Sequence, residues 1–155
     1  MKKILLALSI ILLFNACGLN QNPPSYIKEV VAYKEGSDGL VVYFVLADSN
    51  GQPTTASGKI NINILGKTSF DDKDYELFSR SYDVSISDFR ETKVGRGSFE
   101  RKVILYSFGR IPYLYLNVDP QRMYSEKLIT SRGKVIIEFE TQSGRKLSGE
   151  DTISW

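Results

Sequence analysis

With no histidine, this 155-residue sequence must do any chemistry with carboxylates, lysines, tyrosines, serines and, only if it stays unmodified, the thiol of its single cysteine, Cys17. The missing histidine removes the usual general base at neutral pH and the commonest zinc ligand, so Ser-His-Asp, Cys-His and histidine-based metal sites are excluded. Among the carboxylates, Asp71-Asp72-Lys73-Asp74 crowds several oxygens into one stretch, the raw material of a calcium loop. It lacks the Asp-x-Asp-x-Asp-Gly spacing, and Lys73 would oppose the cation. Asp48-Ser49-Asn50-Gly51 is likewise better read as a turn, with Gly51 free to take positive φ. Ser85 and Ser87 have no identifiable base. No catalytic residue, metal site or cofactor is therefore expected.

Two further groups bear on binding. Arg90, Lys93, Arg96, Arg101 and Lys102 gather around Gly95-Arg96-Gly97 and are able to hold an anion. Glu91 and Glu100 dilute that charge, and the favoured reading is a hairpin edge whose cations discourage strand-to-strand aggregation. The glycine pair is no phosphate loop, because neither the full motif nor a following helix is present. Tyr113, Tyr115 and Tyr124 flank an irregular stretch with Arg110, Arg122 and Met123, residue types enriched at interfaces and able to stack on sugars. They form the candidate interaction surface. Tyrosines on strands also simply cover a core, and both readings stay open.

What must carry these groups begins with residues 1–17. Lys2 and Lys3 precede an apolar run over 4–14, and Ala16 stands before a cut, which is the pattern of an export signal. The run is too short for a helix crossing a hydrocarbon core of about 30 Å. Cys17 lies at the cut, in Leu13-Phe14-Asn15-Ala16-Cys17-Gly18, and the segment resembles the leader of bacterial lipoproteins, with Phe14 in place of the usual leucine. The resemblance implies that residues 1–16 are a signal peptide, that Cys17 is acylated as the first mature residue, and that the membrane is a partner through this lipid. Gly18 is not the aspartate of an inner-membrane retention signal, which implies the outer membrane where a cell has one.

The 20 basic and 18 acidic residues become 18 against 18 once Lys2 and Lys3 are set aside, so no nucleic-acid partner is expected. One cysteine permits no intramolecular disulfide. Residues 17–25, rich in Asn, Gln and Pro, read as a lipidated tether. Residues 26–155 are one domain of short alternating or apolar runs broken by Gly, Asp, Asn and Ser. Residues 40–47 are apolar on both faces and should lie centrally. In 58–65, Ile60, Ile62 and Ile64 should face inward, with Lys59, Asn61 and Asn63 to water. Residues 75–86 slip phase between Leu77 and Phe78, suggesting a bulge, after which Phe78, Tyr82, Val84 and Ile86 share a parity. Extended runs are expected over 99–108 and 111–118, then a short helical turn near 123–128. A C-terminal hairpin closes the chain, with Val135, Ile137 and Phe139 inward on one arm and Leu147, Ile153 and Trp155 on the other. These runs add up to an all-β, antiparallel two-sheet sandwich of about eight strands, which the resemblance below makes immunoglobulin-like.

Asp48-x-x-Gly51-x-Pro53-Thr54 between strands resembles a turn of bacterial immunoglobulin-like and macroglobulin-like extracellular domains, over about 41–64. It implies a sandwich and no activity. Leader, tether and domain together lead to the expectation of a membrane-anchored, non-enzymatic interaction or assembly module of the cell envelope, with an envelope protein as partner. The alternative is a small carbohydrate-binding domain or carboxylate-dependent enzyme.

Overall fold

The structure, a computed structural model, describes residues 22–94 and 100–155. The leader, Cys17 and the Gly95-Arg96-Gly97 stretch, with Arg96 of the basic group, lie outside the described residues.

Two antiparallel sheets form an all-β sandwich. The first contains β1 (Tyr26–Lys34), β2 (Gly39–Ala47), β7 (Arg101–Pro112) and β6 (Arg90–Val94) in that order, with the two-residue β3 (Pro53–Thr54) on β2. The second runs β5 (Asp74–Val84), β4 (Gly58–Thr68), β8 (Ile129–Thr141), β9 (Lys146–Ser154). A short helix, α1 (Pro120–Ser125), precedes β8.

The alternation in β4 and β8 explains the core. Ile60, Ile62 and Ile64 pair directly with Phe139, Ile137 and Val135, and all six are fully buried. Each such side chain contributes roughly 1.5–3 kcal/mol by leaving water. On the outer face Ser79 and Ser81 donate to Asn63 and Asn61, so the alternate residues form a polar ladder. β2 is central, as its composition demands. One of its faces packs in the sandwich core, while Tyr43 and Val45 on the other are covered by Val94, Val103 and Leu105 of the β6–β7 hairpin. A double-sided apolar strand is thereby buried twice.

The phase slip in β5 is a bulge at Leu77. Ile64 pairs with Phe78 and Leu65 with Glu76, leaving Leu77 unopposed, and both Leu77 and Phe78 are buried. Three expectations need correction. The inward parity does not reach Ile86, which is exposed in a 3-10 turn, Ile86–Asp88, capped by the Asp88 carboxylate. Residues 111–118 are not a separate strand. β7 continues through Ile111 to Pro112, whose fixed φ and lost N–H lead into a 3-10 turn, Tyr113–Tyr115. β8 begins at Ile129, five residues earlier than the alternation suggested, because Ile129 pairs with Thr68 across a register shift.

The sandwich is closed along its β1–β9 side. Gly149 lets Ile27 and Val30 approach where a Cβ would collide with their methyl groups. Asp151 then accepts a hydrogen bond from the Ala32 N–H at 2.8 Å, satisfying a donor on an edge strand.

The chain enters at one end of the sandwich and is fastened there. Ser25 N–H donates to Ala47 O (2.7 Å), Thr54 Oγ1 to Asn22 O (2.8 Å), and Asn22 Nδ2 to an Asp48 carboxylate oxygen (2.9 Å). The stretch read as tether is thus part of the domain from Asn22 onward. Asp48 also accepts the N–H groups of Asn50 and Gln52, building the expected turn with Gly51 at φ +79°.

Its bonds, first the Asn22 amide and then the Gln52 N–H, hold the Asp48 carboxyl below the usual carboxylate range. A depressed pKa gives stability that is present above the unfolded value of about 3.9 and lost as pH falls through the folded one. The melting temperature should therefore drop on acidification from about pH 5, and Asp48→Asn should flatten that drop. An equally steep profile in the variant would dismiss the role. Asp71, lowered by Lys73 and then Thr68, leaves a residual slope.

Candidate distal interaction face

The end opposite Asn22 is assembled from three connections, β1–β2, β4–β5 and β7–β8. The β1–β2 turn meets the Tyr113–Tyr115 turn through Tyr113 N–H to Asp38 O (2.8 Å). It also meets α1 through Gln121 Nε2 to Ser37 O (2.6 Å). The β4–β5 turn joins the segment after α1 through Ser69 N–H to Leu128 O (3.1 Å). α1 itself is started by Pro120 at its first turn and by Asp119, whose carboxylate accepts the Gln121 N–H at 2.9 Å.

All the residues of the candidate interaction surface come to this end, but not with the same role. Tyr115 is 56% exposed and Tyr124 is about half exposed. Tyr113 is a correction: at 5% exposure it belongs to the core, edge-on to Trp155 with ring centroids 6.4 Å apart. Burial first, then Asp119 and Asp38, pushes its phenol above the usual value. Arg110 is held by Asp38 and reaches Glu35, and Arg122 is held by Glu126 at 2.8 Å one helical turn on. The two arginines therefore present satisfied rather than free charge.

The side chains that dominate the exposed surface here were not singled out from sequence. Phe70, in the β4–β5 turn, is 80% exposed, and Leu114, between the two tyrosines, is 78% exposed. Leu128, also exposed, accepts at its carbonyl from the N–H of Ser69, the residue before Phe70. The one available signal was an apolar residue at a turn tip, as Phe70 sits next to Asp71-Asp72. A shallow cleft of about 440 Å³ runs between the β1–β2 turn and α1, with Asp38, Leu114, Asn117 and Gln121 among its walls.

Tyr113 offers a test of its placement. Its hydroxyl is buried and has no hydrogen-bond partner. Tyr113→Phe should leave stability unchanged or raise it by up to about 1 kcal/mol, whereas Tyr113→Ala should cost about 3–5 kcal/mol in urea unfolding. A mild alanine variant would return Tyr113 to the surface.

The other groups resolve into local structure. Asp71 pairs with Lys73 at 2.7 Å and Asp72 with Lys67 at 2.9 Å, so these carboxylates diverge. Among the described residues no three metal-ligating side chains gather. Ser85 Oγ lies 2.7 Å from Ser87 Oγ and donates to Asp88 at 3.0 Å, within the cap of the 3-10 turn. Lys93, Lys102 and Arg101 pair with Glu100, Glu91 and Glu29, which disperses the basic group along the β6–β7 hairpin and β1.

Comparison with known proteins adds only distant likenesses. No family model matches the chain, and no curated protein matches it. Among solved structures it is similar to wild-type OgpA from Akkermansia muciniphila, with 14% identity, a TM-score of 0.48, and coverage of 88% of this chain and 30% of that one. It is also similar to MtrC from Shewanella baltica, with 12% identity, a TM-score of 0.41, and coverage of 83% of this chain and 21% of that one. The chain spans under a third of the length of either protein.

Proposed function

We propose that the chain is an exported, lipid-anchored and non-enzymatic module of the cell envelope, which uses its distal end to hold an envelope protein. The observation that carries this reading is the position of the two most exposed large apolar side chains among the described residues, Phe70 and Leu114. Phe70, Leu114 and Tyr115 lie at the end of the sandwich remote from Asn22, where the chain enters. Five peptide units separate Cys17 from Asn22, a reach of at most about 18 Å, so a lipid on Cys17 would hold the entry end close to the bilayer. The opposite end would then be displayed away from it. Exposed aromatic and aliphatic side chains at a displayed end suit the centre of a protein contact.

The test is a photo-crosslinking amino acid introduced at Leu114 in living cells, with Ser148 on the outer face of the second sheet as control. A discrete adduct from Leu114, absent from Ser148 and abolished by Tyr115→Asp, is the expected result. Adducts from Ser148 but none from Leu114 would overturn it. Selective glycan binding lost on changing Tyr115 and Tyr124 would move the protein to the carbohydrate-binding class.

A further inference from the structure

The side of the sandwich opposite the β1–β9 closure is bordered by β7 beyond its pairing with β6 and by β5, which has β4 as its one strand neighbour among the described residues. β5 is 11 residues long and contains no proline. A free edge of that length is a template for another strand. Part of it is closed: Asn117 N–H donates to Leu77 O at 2.7 Å, so the segment after the Tyr113–Tyr115 turn covers β5 at its bulge. Beyond the bulge, residues 79–83 have only β4 beside them, and all but the half-buried Tyr82 are exposed.

The register of β5 on β4 shows which way these side chains point. Ser79, Ser81 and Asp83 stand opposite Asn63, Asn61 and Lys59 on the outer face. Phe78, Arg80 and Tyr82 stand opposite Ile64, Ile62 and Ile60, which are fully buried, so Arg80 lies on the core side of the sheet. It is exposed nonetheless, with its guanidinium carbon 5.2 Å from the centre of the Phe78 ring. A core-side arginine can stay hydrated there only because nothing lies beyond β5. An added strand would cut that route to water and leave the cation against an aromatic ring with no carboxylate to meet it, and taking an unpaired charge out of water is among the costliest steps in association. In an antiparallel pair of two β5 edges centred on this stretch, the two Arg80 side chains would fall opposite or diagonal to each other, which adds repulsion. The rest of the stretch invites pairing. Ser79 and Ser81 are small and already bonded to Asn63 and Asn61, Tyr82 favours strands, and Asp83 would keep its water on the outer face.

We propose that Arg80 guards this edge: its core-side charge keeps β5 from pairing with the β5 of a second copy, which would join the second sheets of two chains into one. The inference depends neither on the lipid anchor nor on the distal face. It is tested on the full chain in detergent by sedimentation, and by hydrogen exchange at protein concentrations about a hundredfold apart. The native chain, Arg80→Lys and Arg80→Glu should stay dispersed, since each keeps a charge at this position. Arg80→Val and Arg80→Thr should associate at least about a hundredfold more tightly than the native chain, with exchange over residues 79–84 slowing as concentration rises. The threonine variant carries the test alone if the valine variant loses its native near-UV signal. Neutral variants as dispersed as the native chain would overturn the proposal, and so would association that protects other residues. Concentration-dependent protection of 79–84 in the native chain would make this edge an interface instead of a guarded one. Association of Arg80→Lys to the same degree as Arg80→Val would remove charge as the cause.

Discussion

Cys17→Ser is expected to abolish incorporation of labelled palmitate and to shift the protein from the membrane pellet to the soluble fraction. A thiol is required for thioether attachment of the lipid, and no other cysteine exists to substitute. The effect should be close to all-or-none, because acyl chains contribute about 0.8 kcal/mol per buried CH₂ and stable anchoring needs more than one chain. Unchanged labelling and unchanged retention in the serine variant would sink the lipoprotein reading. The domain itself, fastened at Asn22 and Ser25, should keep its melting temperature either way. That invariance separates an anchoring defect from a folding defect.

The second large effect belongs to Gly58. It opens β4 between Val84 and Thr141, its partners on the two flanking strands. A Cβ at this position would lie within 3.0 Å of the Glu140 carbonyl oxygen and of the Phe139 ring. The obstacle is backbone of a paired strand rather than the end of a flexible side chain, so relief requires β4 and β8 to part where Ile60 and Phe139 pack. Gly58→Ala should cost upward of about 3 kcal/mol, a large share of the 5–15 kcal/mol that stabilises a typical domain. A fall in the urea midpoint with an unchanged slope is the expected readout. Gly144→Ala provides a contrast: its surroundings are open, and its φ of +81° carries only the strain of a left-handed turn residue. Equal costs for the two variants would show that close approach is not what Gly58 serves.

Local patterning was enough for β4 and for the C-terminal hairpin from Lys134 onward, because strict alternation tells which face of a strand is dry whatever it packs against, but it missed the first five residues of β8. The bulge in β5 was visible for the same reason: Leu77 and Phe78 are consecutive apolar residues, and only a slip buries both. Alternation failed at residues 111–118. There IPYLYLNV reads as a strand, yet Pro112 turns the chain and the alternate residues Tyr113 and Tyr115 part between core and solvent.

For the candidate site, which of Tyr113, Tyr115 and Tyr124 faces solvent could not be read, but all three were recognisable as aromatics near an irregular segment, with Arg110 and Arg122 as neighbours. Phe70 was not, since its association with Leu128 spans distant parts of the chain through the pairing of Thr68 with Ile129. Nor could periodicity show that Asp38 and Glu126 neutralise the two arginines.

The sequence by itself determined an all-β chain with no histidine chemistry and one thiol, because these are matters of residue type and local period. Only the tertiary structure decided that Tyr113 is core and Leu114 is surface, that Asp151 closes one side of the sandwich while β7 leaves the other open, and that Arg90 alone of the described β6–β7 cations has no ion-pair partner. Each depends on which strands become neighbours, and pairing partners far apart in the chain are chosen by the fit of whole faces rather than by any residue's own preference.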